Sequence, residues 1–182
     1  MICVCIANGF EEIEAISVID ILRRANMDVK VVSINDKVAK GAHGISIYTD
    51  MPIEEIDLNE VECVVLPGGV EGTENLRRSE YVRNMIRYCA DNHKYIAAIC
   101  AAPSILGEMN LLREKNAVCY PGFSERLKGA NVLSEKVCVD DNFITANGPA
   151  SAMEFALKII EVLRTYKESE QVGKGLLCRT TI

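Results

Sequence analysis

The sequence predicts an α/β fold with a mainly parallel sheet. Short apolar runs alternate with segments of helical periodicity, and the runs are apolar throughout instead of at every second residue. Continuous apolar strands separated by helices are typical of parallel sheets with helices on both faces. The chain has 182 residues without an internal repeat or a low-complexity linker, so we expect a single domain over 1–182.

Periodicity and turn residues place the elements. The predicted strands are 2–7, 29–34, 61–66, 95–99, 118–120, 137–139 and 143–146, with short β segments over 38–50 that Gly41 and Gly44 interrupt. The predicted helices are 10–25, 71–78, 79–91, the segment after residue 100, and a closing helix over 149–167. Helix 10–25 has apolar residues at helical spacing from Ile13 and Ile16, and we expect the tail 168–182 to be less regular.

Composition limits the function classes. The chain has 26 acidic and 20 basic residues and no lysine- or arginine-rich run, which disfavours nucleic-acid binding. No apolar stretch approaches membrane-spanning length, so we expect no membrane partner. The N-terminus reads as a strand and not as a signal peptide. We therefore expect a cytoplasmic protein whose eight cysteines are reduced thiols.

Cys100 is placed differently from the other seven cysteines. It ends the apolar run 95–99 and opens the small-residue stretch Ala101-Ala102-Pro103. A sharp turn between a buried strand and a helix lifts a nucleophile above the sheet and points it at free helix N–H groups. These groups favour the reactive thiolate. A buried, inert thiol under a helix fits the same context, and both interpretations stay open here.

Two other strand ends could complete a site. Glu14 lies in the apolar part of the first helix, where burial near a thiolate would raise the pKa of its carboxyl. A protonated Glu14 could donate a hydrogen bond to the sulfur and lower the thiol pKa. The Gly68-Gly69 turn allows the N–H groups of Gly69 and Ala101 to form an anion pocket, although such a turn also occurs without function.

Other polar residues have ordinary interpretations. Glu11 and Glu12 are typical acidic residues of a solvated first helical turn. Cys3 and Cys5 share one face of a strand, but neither a CxxC motif nor a histidine accompanies them. We therefore expect no metal ion, and the chemistry below needs no organic cofactor.

These motifs resemble those of the ThiJ/PfpI superfamily, in particular its branch of the Parkinson-disease-associated deglycase. The matching segments are Asn8-Gly9-Phe10-Glu11-Glu12-Ile13-Glu14, Leu66-Pro67-Gly68-Gly69, Ile96-Ala97-Ala98-Ile99-Cys100-Ala101-Ala102-Pro103, Asn147-Gly148-Pro149 and Glu154-Phe155-Ala156-Leu157. The resemblance implies a flavodoxin-like three-layer sandwich with a nucleophile elbow, usually as a homodimer. It also implies that Cys100 is the reactive cysteine, Glu14 the protonated glutamate, and the backbone at Gly69 and Ala101 the anion pocket.

Two positions depart from relatives that use histidine. Ala101 follows Cys100, where the superfamily's peptidases have histidine, and Tyr120 stands where the deglycase branch often has one. Tyrosine is a poor base at neutral pH. His43 approaches the pocket across a dimer interface in related proteins, although a lone histidine is more often structural. His43 and Tyr120 are therefore candidate accessory residues.

Three functions follow from this resemblance. The first is a glyoxalase or deglycase with a role in stress response, in which Cys100 acts on 2-oxoaldehydes such as methylglyoxal or on their glycated adducts. The second is a non-enzymatic oxidative-stress sensor or chaperone in which Cys100 is oxidised to sulfinate. A cysteine peptidase is the weakest of the three, because Ala101 replaces the histidine.

Overall fold

Strands and helices alternate along the chain in the computed structural model, which describes residues 1–34 and 37–178. The strands are β1 (Ile2–Ile6), β2 (Val29–Ser33), β3 (Val38–Lys40), β4 (Ser46–Tyr48), β5 (Met51–Pro52), β6 (Cys63–Leu66), β7 (Tyr95–Ile99), β8 (Asn116–Ala117), β9 (Asn131–Val132), β10 (Val137–Asp140) and β11 (Phe143–Ala146). The helices are α1 (Glu12–Arg24), α2 (Val70–Arg78), α3 (Glu80–Asp91), α4 (Pro103–Glu108), α5 (Ala152–Leu163) and α6 (Tyr166–Gly175).

Seven of these strands form one sheet in the order β10-β11-β7-β6-β1-β2-β5. Neighbours are parallel except β10 and β11, which are antiparallel. The predicted mainly parallel α/β fold is therefore confirmed. The chain leaves β1 toward β2 and later returns to β6 on its other side. The order of strands thus reverses between β1 and β6, where ligands bind at the carboxyl ends of such sheets.

The apolar core has one layer on each face of the sheet. Ile2, Val4 and Ile6 of β1 contribute to the layer under α1 and α5, whereas Cys3 and Cys5 contribute to the layer under α3. Because both faces are covered, β1 is apolar and buried at every position. Cys3 and Cys5 do share a face, as their spacing predicts, and all eight cysteines are free thiols.

The first helix turns a different face to the sheet from the one its sequence suggests. Ile13 is 57% exposed and Ile16 is 40% exposed, while Val18 and Leu22 are fully buried. The apolar spacing that starts at Ile13 and Ile16 therefore does not mark the buried face of α1. Glu14 lies on the buried face instead and is completely inaccessible. The orientation of α1 thus places a carboxyl group inside the protein.

The C-terminal helices are also divided differently. The predicted helix over 149–167 consists of a 3-10 turn at Pro149–Ser151 followed by α5, and it ends before Thr165. The Thr165 hydroxyl then accepts a hydrogen bond from the Glu168 N–H at 3.2 Å and caps α6. The prediction of an irregular tail is wrong as far as the end of α6, and its residues 179–182 lie outside the described residues.

The predicted strand over 118–120 is wrong as well. Its backbone N–H groups bond outside any ladder: Val118 donates to Thr145 Oγ1 at 3.0 Å and Tyr120 donates to the Cys100 carbonyl at 2.8 Å. Strand β8 precedes this segment and pairs with β9, which the sequence did not indicate. The segment 118–120 therefore connects the edge of the fold to the turn at Cys100.

Two expectations concern the chain as a whole. In the described ranges, every helix is too short or too polar to cross a lipid bilayer. The assignment of 1–182 to one domain stays a prediction.

Candidate active site

The turn after β7 gives Cys100 an unusual backbone conformation. Its φ angle is 64°, a left-handed value that is uncommon for residues with a side chain. Two hydrogen bonds hold the turn: Cys100 N–H donates to the Ala146 carbonyl at 2.9 Å, and Tyr120 N–H donates to the Cys100 carbonyl. Helix α4 begins three residues later, so the sharp turn between strand and helix is present. The residue is 9% exposed.

Two backbone N–H groups face the cysteine sulfur, those of Gly69 and Ala101. Gly69 follows β6 with a φ angle of 86°, and a Cβ there would lie 2.3 Å from the Gly9 carbonyl oxygen. Only glycine fits this position, because both the dihedral angle and the close approach exclude a side chain. The structure therefore brings the predicted anion-pocket residues together around Cys100.

Glu14 meets Cys100 across Gly68. A Cβ on Gly68 would lie 2.6 Å from Glu14 Oε2 and 2.7 Å from the Cys100 Cβ atom. Glu14 Oε2 accepts a hydrogen bond from the Gly68 N–H at 2.7 Å, and the carboxyl also interacts with the Cys100 thiol. Glu14 Oε1 is buried without a hydrogen-bond partner among the described residues. A buried, unpaired carboxyl oxygen favours a protonated group.

Burial dominates the electrostatics of this pair. It raises the pKa of Glu14 to about 7, with a further rise from the charge of Glu11 and opposing effects of the hydrogen bonds with Gly68 and Cys100. Burial, then the Glu14 charge and hydrogen bond, raise the pKa of the Cys100 thiol to about 12, although the two facing N–H groups lower it. This raised pKa includes the charge of an ionised Glu14, so the lowering expected from a protonated Glu14 stays a prediction. Glu14 and Cys100 lose their protons as a coupled pair.

The two accessory candidates lie in different places. Tyr120 adjoins Cys100 through its backbone N–H, and its half-exposed ring packs near Gly148. The His43 side chain contacts α1 instead: its Nδ1 lies 2.8 Å from Glu12 Oε2 and 3.7 Å from Glu11 Oε2. Of the two, only Tyr120 contacts Cys100 among the described residues of the chain.

Glu12 is a buried residue that the sequence reasoning misplaced. It is 4% exposed because its Oε1 accepts hydrogen bonds from the N–H groups of His43 and Ile45, at 2.7 and 3.4 Å. Burial alone would raise the pKa of Glu12, but hydrogen bonds from the His43 side chain and from the backbone hold it below its ordinary value. No local pattern indicates this burial, because His43 lies 31 residues further along the chain.

Glu11, Glu12 and His43 also offer three atoms that could hold a metal ion, all within 4.8 Å of one another. The Glu12 carboxylate is already occupied by three hydrogen bonds from the turn that contains His43. We therefore interpret the group as an anchor between this turn and α1. The described residues hold no other such group.

Two cavities of the protein have linings that do not include Cys100. One, of about 900 Å³, is lined mainly by residues of α1, α5 and α6. A smaller cleft of about 290 Å³ is lined by Tyr120, Cys119 and Asn147 among others. Because Tyr120 bonds to the Cys100 backbone, this cleft adjoins the turn, and we give it more weight than the larger cavity.

Comparison with known proteins agrees with this geometry. A model of the DJ-1/PfpI family matches residues 1–162. The chain belongs to the DJ-1/PfpI family. The protein dj-1beta of Drosophila melanogaster is 36% identical over 177 residues, which cover 96% of this chain and 95% of the relative. The solved structure of oxidized DJ-1 from Toxoplasma gondii has a TM-score of 0.93 and 37% identity, and 98% of each chain is covered.

The lengths and names of other relatives differ. DJ-1 homolog B of Arabidopsis thaliana is 34% identical over 97% of this chain, which spans only 41% of the length of that protein. Among more distant family members, a Pyrococcus horikoshii protein is named a deglycase and a Caenorhabditis elegans protein a glutathione-independent glyoxalase. Each is 28% identical, over 87% and 91% of this chain and 96% and 89% of the relative, respectively.

Proposed function

We propose that the protein is a cysteine-dependent glyoxalase or deglycase with Cys100 as its nucleophile. The observation that carries the proposal is the inaccessible Glu14 carboxyl beside a thiol that faces two backbone N–H groups. The proposal is supported by the family's named deglycases and glyoxalases. Strongly perturbed, mutually coupled titratable groups at the carboxyl end of a parallel sheet are typical of catalytic sites.

The reactive state of this pair has one proton. When the pair loses its first proton, the negative charge can lie on Glu14 or on the sulfur of Cys100. Glu14 has one N–H donor, from Gly68, and an unpaired Oε1, whereas the sulfur faces two donors. If Glu14 Oε1 carries the proton and donates it in a hydrogen bond to the Cys100 sulfur, this oxygen is no longer without a hydrogen-bond partner. We therefore assign the reactive state to a Cys100 thiolate beside a neutral Glu14.

A small 2-oxoaldehyde fits this arrangement. The thiolate forms a C–S bond with the aldehyde carbon of methylglyoxal, and the carbonyl electron pair moves to oxygen. Glu14 donates its proton to that oxygen and a hemithioacetal results. The Glu14 carboxylate then takes the proton from the former aldehyde carbon and returns it to the neighbouring carbon, while the hydroxyl proton of the hemithioacetal moves to the ketone oxygen. Water hydrolyses the resulting thioester, which releases lactate and restores the Cys100 thiol. One carbon is oxidised as the other is reduced, so the reaction needs no external oxidant and no cofactor.

Turnover of methylglyoxal to lactate tests the nucleophile. Cys100→Ser should abolish lactate production, because a serine hydroxyl stays protonated in the same pocket. Cys178→Ser, which changes a more exposed cysteine, serves as the matched control and should retain the wild-type rate. Lactate production by the Cys100→Ser protein at the wild-type rate would exclude this assignment, and so would a wild-type protein without activity.

A second candidate is an oxidative-stress sensor or chaperone in which Cys100 becomes sulfinate. The same N–H groups of Gly69 and Ala101 that face the sulfur could bind sulfinate oxygens, with a protonated Glu14 as a further donor. Mass spectrometry after mild peroxide distinguishes the two. Two oxygen atoms gained at Cys100, without aldehyde turnover, favour the sensor. A cysteine peptidase stays the weakest candidate, because neither histidine contacts Cys100 within the described part of a protomer.

We also propose that the protein is a homodimer. Ile13 and Ile16 of α1 and Met153 of α5 are large apolar side chains that a single chain leaves 40–57% exposed. Contiguous exposed apolar residues often mark protein contacts. Sedimentation of the wild type should give the dimer mass, and Ile16→Lys should give the monomer. A monomeric wild type at micromolar concentration would contradict the proposal.

Several expectations from composition remain part of this proposal. They are a cytoplasmic location, activity without a metal ion or cofactor, and no binding to nucleic acid or membranes. The net charge of -6 disfavours polyanionic partners. Dialysis against a chelator should leave lactate production unchanged, and a loss that Zn²⁺ restores would contradict the expectation.

A further inference from the structure

The turn between β3 and β4 is built around the Glu12 carboxylate. Besides the hydrogen bonds from His43 and Ile45, the turn brings Gly41 so close that a Cβ there would lie 2.3 Å from Glu12 Oε1. Gly41 N–H closes the turn by donating to the Ile45 carbonyl at 2.8 Å. A buried carboxylate thus fixes a turn that has no apolar core of its own.

The same hairpin is bonded to the loop that follows β1. Gly9 N–H donates to the Lys40 carbonyl at 2.8 Å, and Ala42 N–H donates to the Phe10 carbonyl at 2.9 Å. These bonds join the start of the turn to residues 9 and 10. Displacement of the turn therefore removes the outer support of this loop.

The inner side of that loop packs on the anion pocket. Glu11 N–H donates to the Gly68 carbonyl and Gly72 N–H donates to the Gly9 carbonyl, each at 3.0 Å. The Gly9 carbonyl oxygen also lies 2.3 Å from where a Cβ on Gly69 would be. The position of the Gly69 N–H thus depends on the loop that the turn supports.

We propose that Glu12 is a positioning residue that holds the Gly69 N–H group in line with the Cys100 sulfur through the turn at 41–45. The inference rests on the proposed function, because it assigns that N–H a role in stabilising the thiolate. Glu12 does not contact Cys100 or Glu14 in the described contacts. Its effect is therefore transmitted by the backbone bonds above.

The direction in which removal of Glu12 changes thiolate formation distinguishes a positioning role from an effect of its charge. The titratable groups beside Glu12 are Glu11, which caps the same helix, and His43 on the turn, and Glu11 is the acidic neighbour that raises the pKa of Glu14. If Glu12 acted only as a negative charge, its removal would ease ionisation of the Glu14–Cys100 pair. If Glu12 positions a donor, its removal hinders formation of the thiolate.

Two variants disturb the anchor in independent ways. Glu12→Gln removes the charge and keeps the shape. Gly41→Ala keeps the charge and displaces the carboxylate by its added methyl group. Glu80→Gln changes an exposed glutamate that also begins a helix, and Gly175→Ala adds a methyl group where nothing lies within 4 Å. These last two are the matched controls.

The assay is the pH dependence of Cys100 alkylation by iodoacetamide, followed by mass spectrometry of the peptide that contains Cys100. Glu12→Gln and Gly41→Ala should both raise the pH midpoint of Cys100 alkylation and slow alkylation at pH 7 about tenfold. The reason is that the Gly69 N–H, once displaced from the Cys100 sulfur, loses most of its stabilising effect on the thiolate. Both controls should match the wild type. Circular dichroism shows whether the variants keep the fold. Amide hydrogen exchange of the segments 8–11 and 68–72 shows whether the loop after β1 is released.

The outcomes for the two proposals are separate. A wild-type midpoint near that of free cysteine argues against the proposed function, whatever the variants do. An unchanged or lowered midpoint in Glu12→Gln, or a Gly41→Ala protein that alkylates at the wild-type rate, overturns the positioning role. Slower alkylation together with faster exchange in folded variants supports it.

Discussion

Replacing Glu14 by glutamine should change how the stability of the protein depends on pH. Glu14 has its pKa raised from an ordinary 4.5 to about 7, mainly by burial. Because the folded pKa is above the unfolded one, the folded state holds an extra proton between these values. Stability from this group is therefore fully present below pH 4.5 and is lost as pH rises to 7. At about 1.4 kcal/mol per pKa unit, the loss is about 3 kcal/mol.

Glutamine keeps the acceptor for the Gly68 N–H and a donor toward the sulfur but cannot ionise. The unfolding free energy of Glu14→Gln minus that of the wild type should therefore rise by about 3 kcal/mol between pH 4.5 and pH 8. Urea unfolding at fixed protein concentration measures this difference, with Glu80→Gln as the control. A difference that stays flat over this range refutes the assignment of a buried, protonated carboxyl.

Three further substitutions test other parts of the structure. Gly68→Ala places a methyl group between Glu14 and Cys100, so alkylation of the Cys100 thiol at pH 7 should slow at least several-fold. Circular dichroism should be unchanged. Alkylation at the wild-type rate would show that Glu14 and Cys100 do not meet at this position. Thr165→Ala removes the cap of α6 and should cost about 1 kcal/mol in urea unfolding, a loss not expected if the hydroxyl is free in solution. Phe155→Ala empties a fully buried site of α5 and should cost about 3–5 kcal/mol, and a thermal midpoint equal to that of the wild type would contradict the packing.

The sheet could be predicted because its signal is local. Strands such as β1 and β7 are apolar at every position, and this pattern alone indicates a parallel sheet covered on both faces. The site followed from the same rule, since Glu14, Gly69 and Cys100 each come shortly after a strand that ends at the same edge. Parallel strands bring their carboxyl ends together, so distant residues meet without any specific pairing information.

The errors have identifiable physical causes. The burial of Glu12 depends on a turn far away in sequence, and its acidic position in a first helical turn indicated only solvent. Ile13 is exposed while Val18 and Leu22 are buried, and apolar spacing alone does not determine which of these residues face the sheet. Helix α6 had a local signal that was overlooked, because Thr165 and Glu168 form the T-x-x-E pattern of a capping box.

The pKa of the Cys100 thiol cannot be read from the sequence for a different reason. Helix N–H groups and burial act on the pKa of the Cys100 thiol in opposite directions, so an activated thiol and an inert thiol both fit the sequence. Their balance depends on how deeply the sulfur lies, which the local pattern of a strand followed by small residues does not give. Coupling to Glu14 then decides which group carries the remaining proton.

The buried cysteines allow global unfolding of the protein to be followed by thiol labelling. Cys3, Cys5, Cys63 and Cys89 are completely inaccessible in the folded protein. A maleimide reagent can reach them only when the sheet opens, and one opening exposes all four together. Intact mass spectra during slow labelling should therefore show two separate populations, one with few adducts and one with at least four more, whose ratio counts the molecules that have opened.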